Sequence, residues 1–327
     1  MTRCIDIIAK QQEAYTMKET MKNRLLAVMD GSERSIQTAQ YLAEISSFRN
    51  HEIHLFHVFN KVPESYYDLE REPASLNPAG SVRAWEAQER ARIKAHLSQC
   101  RQILLSADFH PDRVKTTIHH RREGIARDII AEAHKGYDAI VLRRRGMGRL
   151  HGLVMGSVAF KLLSRVSHIP LMFAGRKPFN RRILLAVDGS AQAMHAVSFM
   201  GEKLRGSDCR LRLVNILRGD LALKETAPRK MEVREIFEGA EERMLQLMQK
   251  AEKHLIAAGI APDAISIDII KGMPSRAGAI VTAAETGEYN TVVLGRKGVS
   301  RVREFAVGRV GSKVLQIGRE LGVWMVP

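Results

Sequence analysis

The sequence predicts an α/β protein of two tandem domains, each a doubly wound parallel sheet of five strands. Three observations support this prediction. The segment over residues 24–32 returns over residues 182–190 with the same Asp-Gly-Ser ending. Each copy continues with strand-like and helix-like segments in alternation, which is typical of a parallel sheet. The 327 residues are also enough for two ordinary domains.

The first strand of each half is a short apolar run, over 25–29 and 183–187, followed by Asp-Gly-Ser and a helical pattern. A parallel strand reads as a continuous apolar run because helices cover both faces of its sheet. The remaining segments repeat in one order. We predict strands over 53–59, 114–119, 139–142 and 171–173, and over 211–217, 265–270, 291–294 and 323–326. We predict helices over 82–106, 125–134, 233–258 and 276–286, and one after each glycine-rich loop.

The repeat also divides the chain. We predict an N-terminal extension over 1–22, a first domain over 23–175, a short linker over 176–180 and a second domain over 181–327. The charged N-terminus lacks the apolar core of a signal peptide, and no run approaches eighteen apolar residues. The three cysteines are far apart and form no CxxC pair. We therefore expect a cytoplasmic protein with no membrane span.

The net charge of +15 suggests nucleic acid as a ligand, since clustered lysine and arginine release counterions on meeting phosphate. No zinc-finger spacing, recognition helix or aromatic-rich RNA-binding strand accompanies this charge, and aromatic residues make up 6% of the chain. Nucleic-acid binding is therefore an alternative without a supporting motif. A basic but otherwise ordinary solvated surface also explains the charge.

A second repeated signature lies over a hundred residues after the first. In the first half it reads Arg143-Arg-Arg-Gly146, nine residues, then Gly156-Ser157-Val158. In the second half it reads Gly295-Arg-Lys-Gly298, nine residues, then Gly308-Arg309-Val310. Ligands of a doubly wound sheet bind beyond the carboxyl ends of its strands, where both signatures meet. Glycines let backbone N–H groups face a phosphate there, and the following helix N-terminus also favours an anion.

Together these motifs resemble those of the universal stress protein family, over both halves from residue 23 to residue 327. The resemblance implies an adenine nucleotide alpha hydrolase-like fold and, for a tandem member, a pseudo-dimer whose final strands meet. It implies a stress-response regulator and, in one branch of the family, a bound ATP, ADP or AMP, with or without Mg²⁺. Other branches bind no ATP, so a basic surface that recruits nucleic acid or a protein partner is the alternative. A homodimer of whole chains stays open.

The resemblance also assigns candidate residues. The strand-one aspartate and a main-chain group at the end of strand two would meet the adenosine, and the glycine-rich signature would hold the phosphates. The candidates in the second half are Asp188, Ile216, Gly295, Arg296, Gly298, Gly308, Arg309 and Val310. Those in the first half are Asp30, Val58, Arg143, Gly146, Gly156, Ser157 and Val158.

Each half departs from the family pattern once. Arg143 replaces the leading glycine in the first half, and Arg309 replaces the Ser or Thr in the second. If the leading position needs a left-handed backbone, a side chain there costs about 1 to 2 kcal/mol. Its bulk also obstructs a phosphate. Arg309 loses a hydroxyl group but offers a charge-assisted hydrogen bond instead. The second half is therefore predicted to be the better nucleotide site.

No catalytic set is evident, because the chain has no G-x-S-x-G elbow, metal-ligand spacing or positioned carboxylate pair. We expect a binding protein rather than an enzyme, with slow ATP hydrolysis as an open alternative. The segment from Gly311 to Lys313 lacks the residue order of a P-loop, and we place Lys313 inside a helix. His51, His54 and His57 do not share one strand face, so we predict no metal triad.

Overall fold

The structure is a computed structural model, and it describes residues 23–60, 78–144, 155–217, 230–297 and 308–327. The described part of the first half contains β1 (Arg24–Val28), α1 (Glu33–Ala43), β2 (Glu52–Phe59), α2 (Pro78–Ser106), β3 (Val114–His120), α3 (Ile125–Ala133), β4 (Ala139–Arg143), α4 (Ser157–Arg165) and β5 (Leu171–Ala174). That of the second half contains β6 (Arg182–Ala186), α5 (Ala191–Lys203), β7 (Arg210–Leu217), α6 (Lys230–Ala257), β8 (Ile265–Lys271), α7 (Arg276–Thr286), β9 (Thr291–Gly295), α8 (Arg309–Ile317) and β10 (Gly322–Val326). These elements confirm the predicted α/β class.

The bounds of the two long helices differ most from their predicted bounds. Helix α2 begins at Pro78 and α6 begins at Lys230, a few residues earlier than predicted. The helix predicted over 82–106 left Pro78 outside it. Proline is in fact favourable at a first helical position, where its missing N–H has no intrahelical partner to lose.

The apolar first strands are buried on both sides. Leu25 and Ala27 of β1 belong to the core that packs under α1 and α2, whereas Leu26 belongs to the core under α3 and α4. All three side chains have no exposed surface. The run is continuously apolar because successive side chains point into two separate hydrophobic layers, as predicted from the sequence.

In each half, the strand order reverses at the first strand, which lies in the middle of its half of the sheet. Strand β1 pairs in parallel with β2 on one side and β4 on the other, and β6 pairs in the same way with β7 and β9. A crevice opens at such a switch point, at the carboxyl ends of the strands. The fold thus places Asp30 and Asp188 at the two expected ligand positions.

The halves join into one ten-stranded sheet, with the order β3-β2-β1-β4-β5-β10-β9-β6-β7-β8. At the junction, β5 and β10 run antiparallel and Met172 pairs with Trp324. The indole of Trp324 donates to the Tyr41 hydroxyl at 2.9 Å, and that hydroxyl lies 2.7 Å from the Thr291 hydroxyl. Lys203 Nζ lies 2.6 Å from Asp138 Oδ2 across the same junction, with both side chains buried. Among the described helices, none is long and apolar enough to cross a membrane.

Candidate functional site

A cavity of about 850 Å³ opens at the carboxyl ends of the strands in the second half. Its walls come from the ends of β6, β7 and β9 and from the first turns of α7 and α8. This is the switch point of the second half. The volume lies within the range of small-molecule pockets in proteins, about 300 to 1,000 Å³.

The structure brings most of the predicted second-half residues together around this cavity. The predicted residues that line it are Asp188, Ile216, Gly295, Gly308, Arg309 and Val310. Gly298 lies outside the described residues. Arg296 lies close by in the chain, but its side chain does not line the cavity.

The Asp-Gly-Ser motif shapes the turn from β6 to α5. Asp188 Oδ1 accepts a hydrogen bond from the Ser190 N–H at 3.0 Å, and Ser190 Oγ accepts one from the Ala193 N–H at 3.1 Å. Gly189, between them, has a φ of +80°, which favours glycine. The serine thus caps the helix while the aspartate is held at the rim of the cavity.

Gly295 is required for space rather than for backbone conformation. It has no positive φ, and a Cβ atom built on it would lie 2.8 Å from Ala193 N and 2.8 Å from Gln192 C. The start of α5 therefore packs directly against this glycine. The condition for left-handed strain at the leading position is not met, because Arg143 has no positive φ and continues β4 in the register that pairs it with Ala174.

The cavity is strongly cationic. Four basic side chains line it, Arg276, Lys297, Arg309 and Lys313, and the only carboxylate among the lining residues that the structure describes is Asp188. Helices α7 and α8 also begin at its wall, and a helix N-terminus carries a partial positive charge. This arrangement suits a ligand with several negative charges.

Several lining residues were not assigned to the site from the sequence, and three of them are Lys313, Arg276 and Asn215. Lys313 lies inside α8, as predicted, and it follows Arg309 by four residues, so the two share a helix face. This four-residue spacing could have assigned Lys313 to the site from the sequence. Arg276 opens α7, and its loop follows a different strand, so no short motif links it to the others. Asn215 is buried in the wall, where its Nδ2 donates to the Val187 carbonyl at 2.5 Å.

The Arg296 side chain lies in the junction between the halves and not at the cavity. Its guanidinium is 4% exposed and donates to the carbonyl oxygens of Leu163 and Val166 in the first half. Burial lowers the pKa of this arginine from its usual value. The sequence placed this side chain among the phosphate ligands, but the structure places it in the junction between the halves.

The first-half candidates also meet at the ends of their strands. Asp30 follows β1, Val58 lies near the end of β2, Arg143 ends β4, Gly156 precedes α4, and Ser157 and Val158 open α4. Gly146 lies outside the described residues. The candidates thus converge at the first-half switch point.

Arg143 stands where the second half has glycine. Its side chain is partly buried, and its Nε and Nη1 have no hydrogen-bond partner in the part of the chain that the structure describes. Burial lowers the pKa of its guanidinium, and the charges of Arg176 and Arg34 lower it further. A bulky cation therefore stands at the end of β4, within the electrostatic range of Asp30.

The first-half aspartate also has different neighbours. Ser32 donates to Asp30 Oδ1 through its hydroxyl at 2.6 Å and through its N–H at 3.0 Å. His57 Nδ1 lies 2.8 Å from the Met29 carbonyl oxygen, the place that Asn215 takes in the second half. Within the described residues, no group of three or more His, Cys, Asp or Glu side chains is placed to hold a metal ion.

Comparisons with known proteins agree with this architecture. The model of the universal stress protein family matches residues 21–173 and 180–318. A universal stress protein from Archaeoglobus fulgidus DSM 4304 is 18% identical, with 93% of this chain and 98% of that chain covered and a TM-score of 0.58. A protein of unknown function from Pseudomonas aeruginosa PAO1 is 16% identical, with 95% and 94% covered and a TM-score of 0.55. The comparison with curated proteins found no match.

These two structures share the fold over nearly the whole chain, and the family model covers most of both halves. The chain therefore belongs to the universal stress protein family, as a tandem member with two domains of that family.

Proposed function

We propose that this protein is a cytoplasmic stress-response regulator that binds an adenine nucleotide, chiefly in its second half. The observation that carries the proposal is the cavity of about 850 Å³, which both repeated signatures line and whose described lining includes four basic side chains and one carboxylate. ATP, ADP and AMP all combine an apolar base with an anionic tail. Family membership supports the regulatory role.

Each wall of the cavity has a part in this proposal. Asp188 and the main chain near Ile216 would hold the adenosine, because a carboxylate accepts hydrogen bonds from ribose hydroxyls. The first turn of α8 would hold the phosphates through its N–H groups. Arg309 would replace the hydroxyl of the family pattern with a charge-assisted hydrogen bond, about twice as strong as a neutral one.

We propose binding without catalysis. Asp188 is the only carboxylate, and no histidine is present, among the lining residues that the structure describes. Mg²⁺ that arrives with the nucleotide would be held chiefly by phosphate oxygens, its usual ligands beside such tails. A steady release of phosphate from ATP by the purified protein, lost in Asp188→Ala, would contradict this part of the proposal.

Calorimetry on the full chain tests the nucleotide proposal. We expect wild-type protein to bind one ATP per chain, and Asp188→Ala to weaken binding at least tenfold because the adenosine loses its acceptor. Asp30→Ala is the matched control, since it makes the same change in the other half, and it should bind ATP like wild type. No binding by wild type, or loss only in Asp30→Ala, would overturn the proposal.

A nucleic-acid ligand would give a different result. Binding of RNA or DNA with a steep dependence on salt, unchanged by Asp188→Ala, would favour the basic-surface alternative. Mass spectrometry of small molecules released from purified, denatured protein adds a direct test. We expect an adenine nucleotide among them.

We also propose that the two halves function as a pseudo-dimer within one chain. The antiparallel pairing of β5 with β10 and the buried pair of Lys203 with Asp138 support it. Sedimentation should then give one chain of 36.7 kDa at all concentrations. A species of twice that mass would indicate that whole chains also pair into a homodimer.

A further inference from the structure

Arg144 and Arg296 hold equivalent positions in the two halves. Each follows the leading residue of its glycine-rich signature by one position. Both are buried, at 6% and 4% exposed, and neither lines the cavity. Each side chain instead crosses the junction and enters the other half.

Arg144 of the first half contacts the end of α8 in the second half. Its Nη1 donates to the Leu315 carbonyl at 2.7 Å, and its Nη2 donates to the carbonyls of Gly318 and, at 3.3 Å, Leu321. Leu315 lies in the last turn of α8, and Gly318 directly follows that helix. One guanidinium therefore binds two carbonyls at a helix C-terminus and a third just before β10.

Arg296 makes the same contact in the opposite direction. Its two terminal nitrogens donate to the carbonyls of Leu163, in the last turn of α4, and Val166, directly after α4. Leu163 and Val166 are the first-half equivalents of Leu315 and Gly318 in the repeat. The junction thus contains a reciprocal exchange of arginines.

Physical chemistry explains why an arginine suits these places. The last carbonyls of a helix have no partner within it, and they carry the negative end of the helix dipole. A planar guanidinium offers several donors at once to such a group of acceptors. Each arginine therefore supplies donors to carbonyls at a helix end in the junction and holds that end in place, and the Gly318 carbonyl also accepts the Leu321 N–H at 3.2 Å.

The other end of each fixed helix belongs to a ligand crevice. Helix α8 begins directly after Gly308, at the wall of the second-half cavity, and α4 begins directly after Gly156 in the first-half crevice. Each helix has nine residues, which is about 13 Å at 1.5 Å per residue. One short rigid helix therefore separates Arg144 from the cavity in the other half.

Arg296 is also tied to its own loop through the main chain. Its carbonyl accepts the Gly308 N–H at 2.8 Å, and its own N–H donates to the Val326 carbonyl of β10 at 2.6 Å. The residue that fixes α4 of the first half thus also sets the position of Gly308 at the mouth of the second-half cavity. A movement of Gly308 would therefore reach both halves through Arg296.

We propose that Arg144 and Arg296 are positioning residues that each hold the anion-binding helix of the opposite half, so that the two crevices are coupled across the junction. This proposal rests on nucleotide binding in the second half. Arg144 never contacts that ligand, yet it sets the position of α8. The affinity of the second half consequently depends on a residue of the first.

Calorimetry with ATP on the full chain tests the coupling. We expect Arg144→Met to weaken ATP binding about five- to tenfold, within the usual range of coupling between sites, and Arg144→Lys to restore part of it. The control is Lys203→Met, which breaks the buried ion pair of the same junction without touching α8. Equal losses of affinity in both methionine variants would show a merely structural role and overturn the proposal.

Hydrogen exchange keeps the test decisive where Arg144→Met folds poorly. In wild-type protein, ATP should slow exchange in the peptide that covers residues 163–166 of the first half, because Arg296 connects Gly308 at the cavity to the carbonyls of Leu163 and Val166. Slower exchange confined to the second half would overturn the proposal.

The failure of the proposed function is distinguishable from the failure of this inference. If wild-type protein binds no ATP, Arg144→Lys alone should still raise exchange over residues 309–317. Unchanged exchange there would overturn the positioning role by itself.

Discussion

At the end of the fourth strand, the two halves carry different residues, Gly295 in the second and Arg143 in the first. Gly295 lets the start of α5 pack against the strand, and the space beyond it forms part of the cavity. Arg143 keeps the same strand geometry but adds a guanidinium that is partly buried and whose Nε and Nη1 have no hydrogen-bond partner in the described chain. Side-chain volume and buried charge, rather than backbone strain, therefore separate the two crevices.

The glycine after each aspartate shows a second difference. A Cβ atom on Gly31 would overlap Ile93 of α2, whereas one on Gly189 would lie 3.3 Å from Leu247 of α6. The Arg92 guanidinium of α2 also donates to the Gly31 carbonyl at 2.9 Å. The long helix therefore packs more closely on the first crevice than on the second.

Exchanging the leading residues should have the largest effect. We expect Gly295→Arg to weaken ATP binding at least a hundredfold, because a side chain there meets the main chain of Gln192 and Ala193 and fills the cavity. Calorimetry measures the loss, and circular dichroism checks the fold. The reciprocal Arg143→Gly should keep the second-half affinity and open the first crevice to nucleotide. Wild-type affinity in Gly295→Arg would remove the basis of the comparison.

Acid should destabilise the first half through a residue that the second half lacks. His51 is buried before β2, where the second half has Cys209, and burial together with the charge of Lys203 lowers its pKa to about 4. His51 is protonated below about pH 6.5 in the unfolded chain but only near pH 4 in the folded chain. The free energy of unfolding therefore falls as the pH is lowered from about 6.5 to about 4. The loss is about 3 kcal/mol.

Urea unfolding at pH 7 and pH 4 measures this loss. His51→Cys, which copies the second half, should lose about 3 kcal/mol less than wild type over the same interval. A residual loss remains in both proteins, because burial also lowers the pKa values of His54, His57 and His96. An equal loss in both proteins would exclude His51 as the cause.

The basic side chains of the cavity wall should contribute less to the affinity for ATP. Arg276 opens α7, whereas Ile125 opens α3 in the first half. Arg276→Ile should weaken ATP binding about fivefold, because an exposed charge contributes about 1 kcal/mol to the binding of a polyanion. The loss for AMP should be smaller, since AMP has fewer phosphates. Titrations with both nucleotides measure the ratio. Ile125→Arg, the matched change in the first half, should leave it unchanged, and equal losses for ATP and AMP would contradict a phosphate contact.

The helix caps should show the smallest difference. Ser190 Oγ accepts the Ala193 N–H, whereas Ser32 forms no such cap and donates to Asp30 instead. Ser190→Ala should therefore lower the free energy of unfolding by about 1 kcal/mol, and Ser32→Ala by less than half of that. Urea unfolding at pH 7 measures both. The opposite ranking would show that the cap geometry does not distinguish the halves.

Local pattern was enough to predict much of this molecule. The apolar runs at 25–29 and 183–187 predicted buried parallel strands, because a strand covered on both faces has no polar side. The aspartates and glycines that follow the strands were assigned to the crevices by topology. Such signals depend only on residues near in the chain.

Contacts across the junction could not be predicted in the same way. Arg296 sits in a loop motif that favours phosphate, and nothing near it in the chain reveals that Leu163 and Val166 offer carbonyls. The role of Gly295 was misjudged for a related reason. Gln192 and Ala193, about a hundred residues earlier in the chain, leave no space for a side chain at this position. Both errors concern atoms that only the assembled fold brings together.

The antiparallel pairing of β5 with β10 joins two halves that are covalently linked, and this has an evolutionary consequence. In a symmetric dimer of single domains, every substitution appears in both subunits, so one residue cannot change alone. Linkage in one chain removes that restriction. One half can acquire Arg143 while the other keeps Gly295, and the partner surface remains present at a fixed effective concentration. A duplicated chain is therefore free to specialise its two crevices separately.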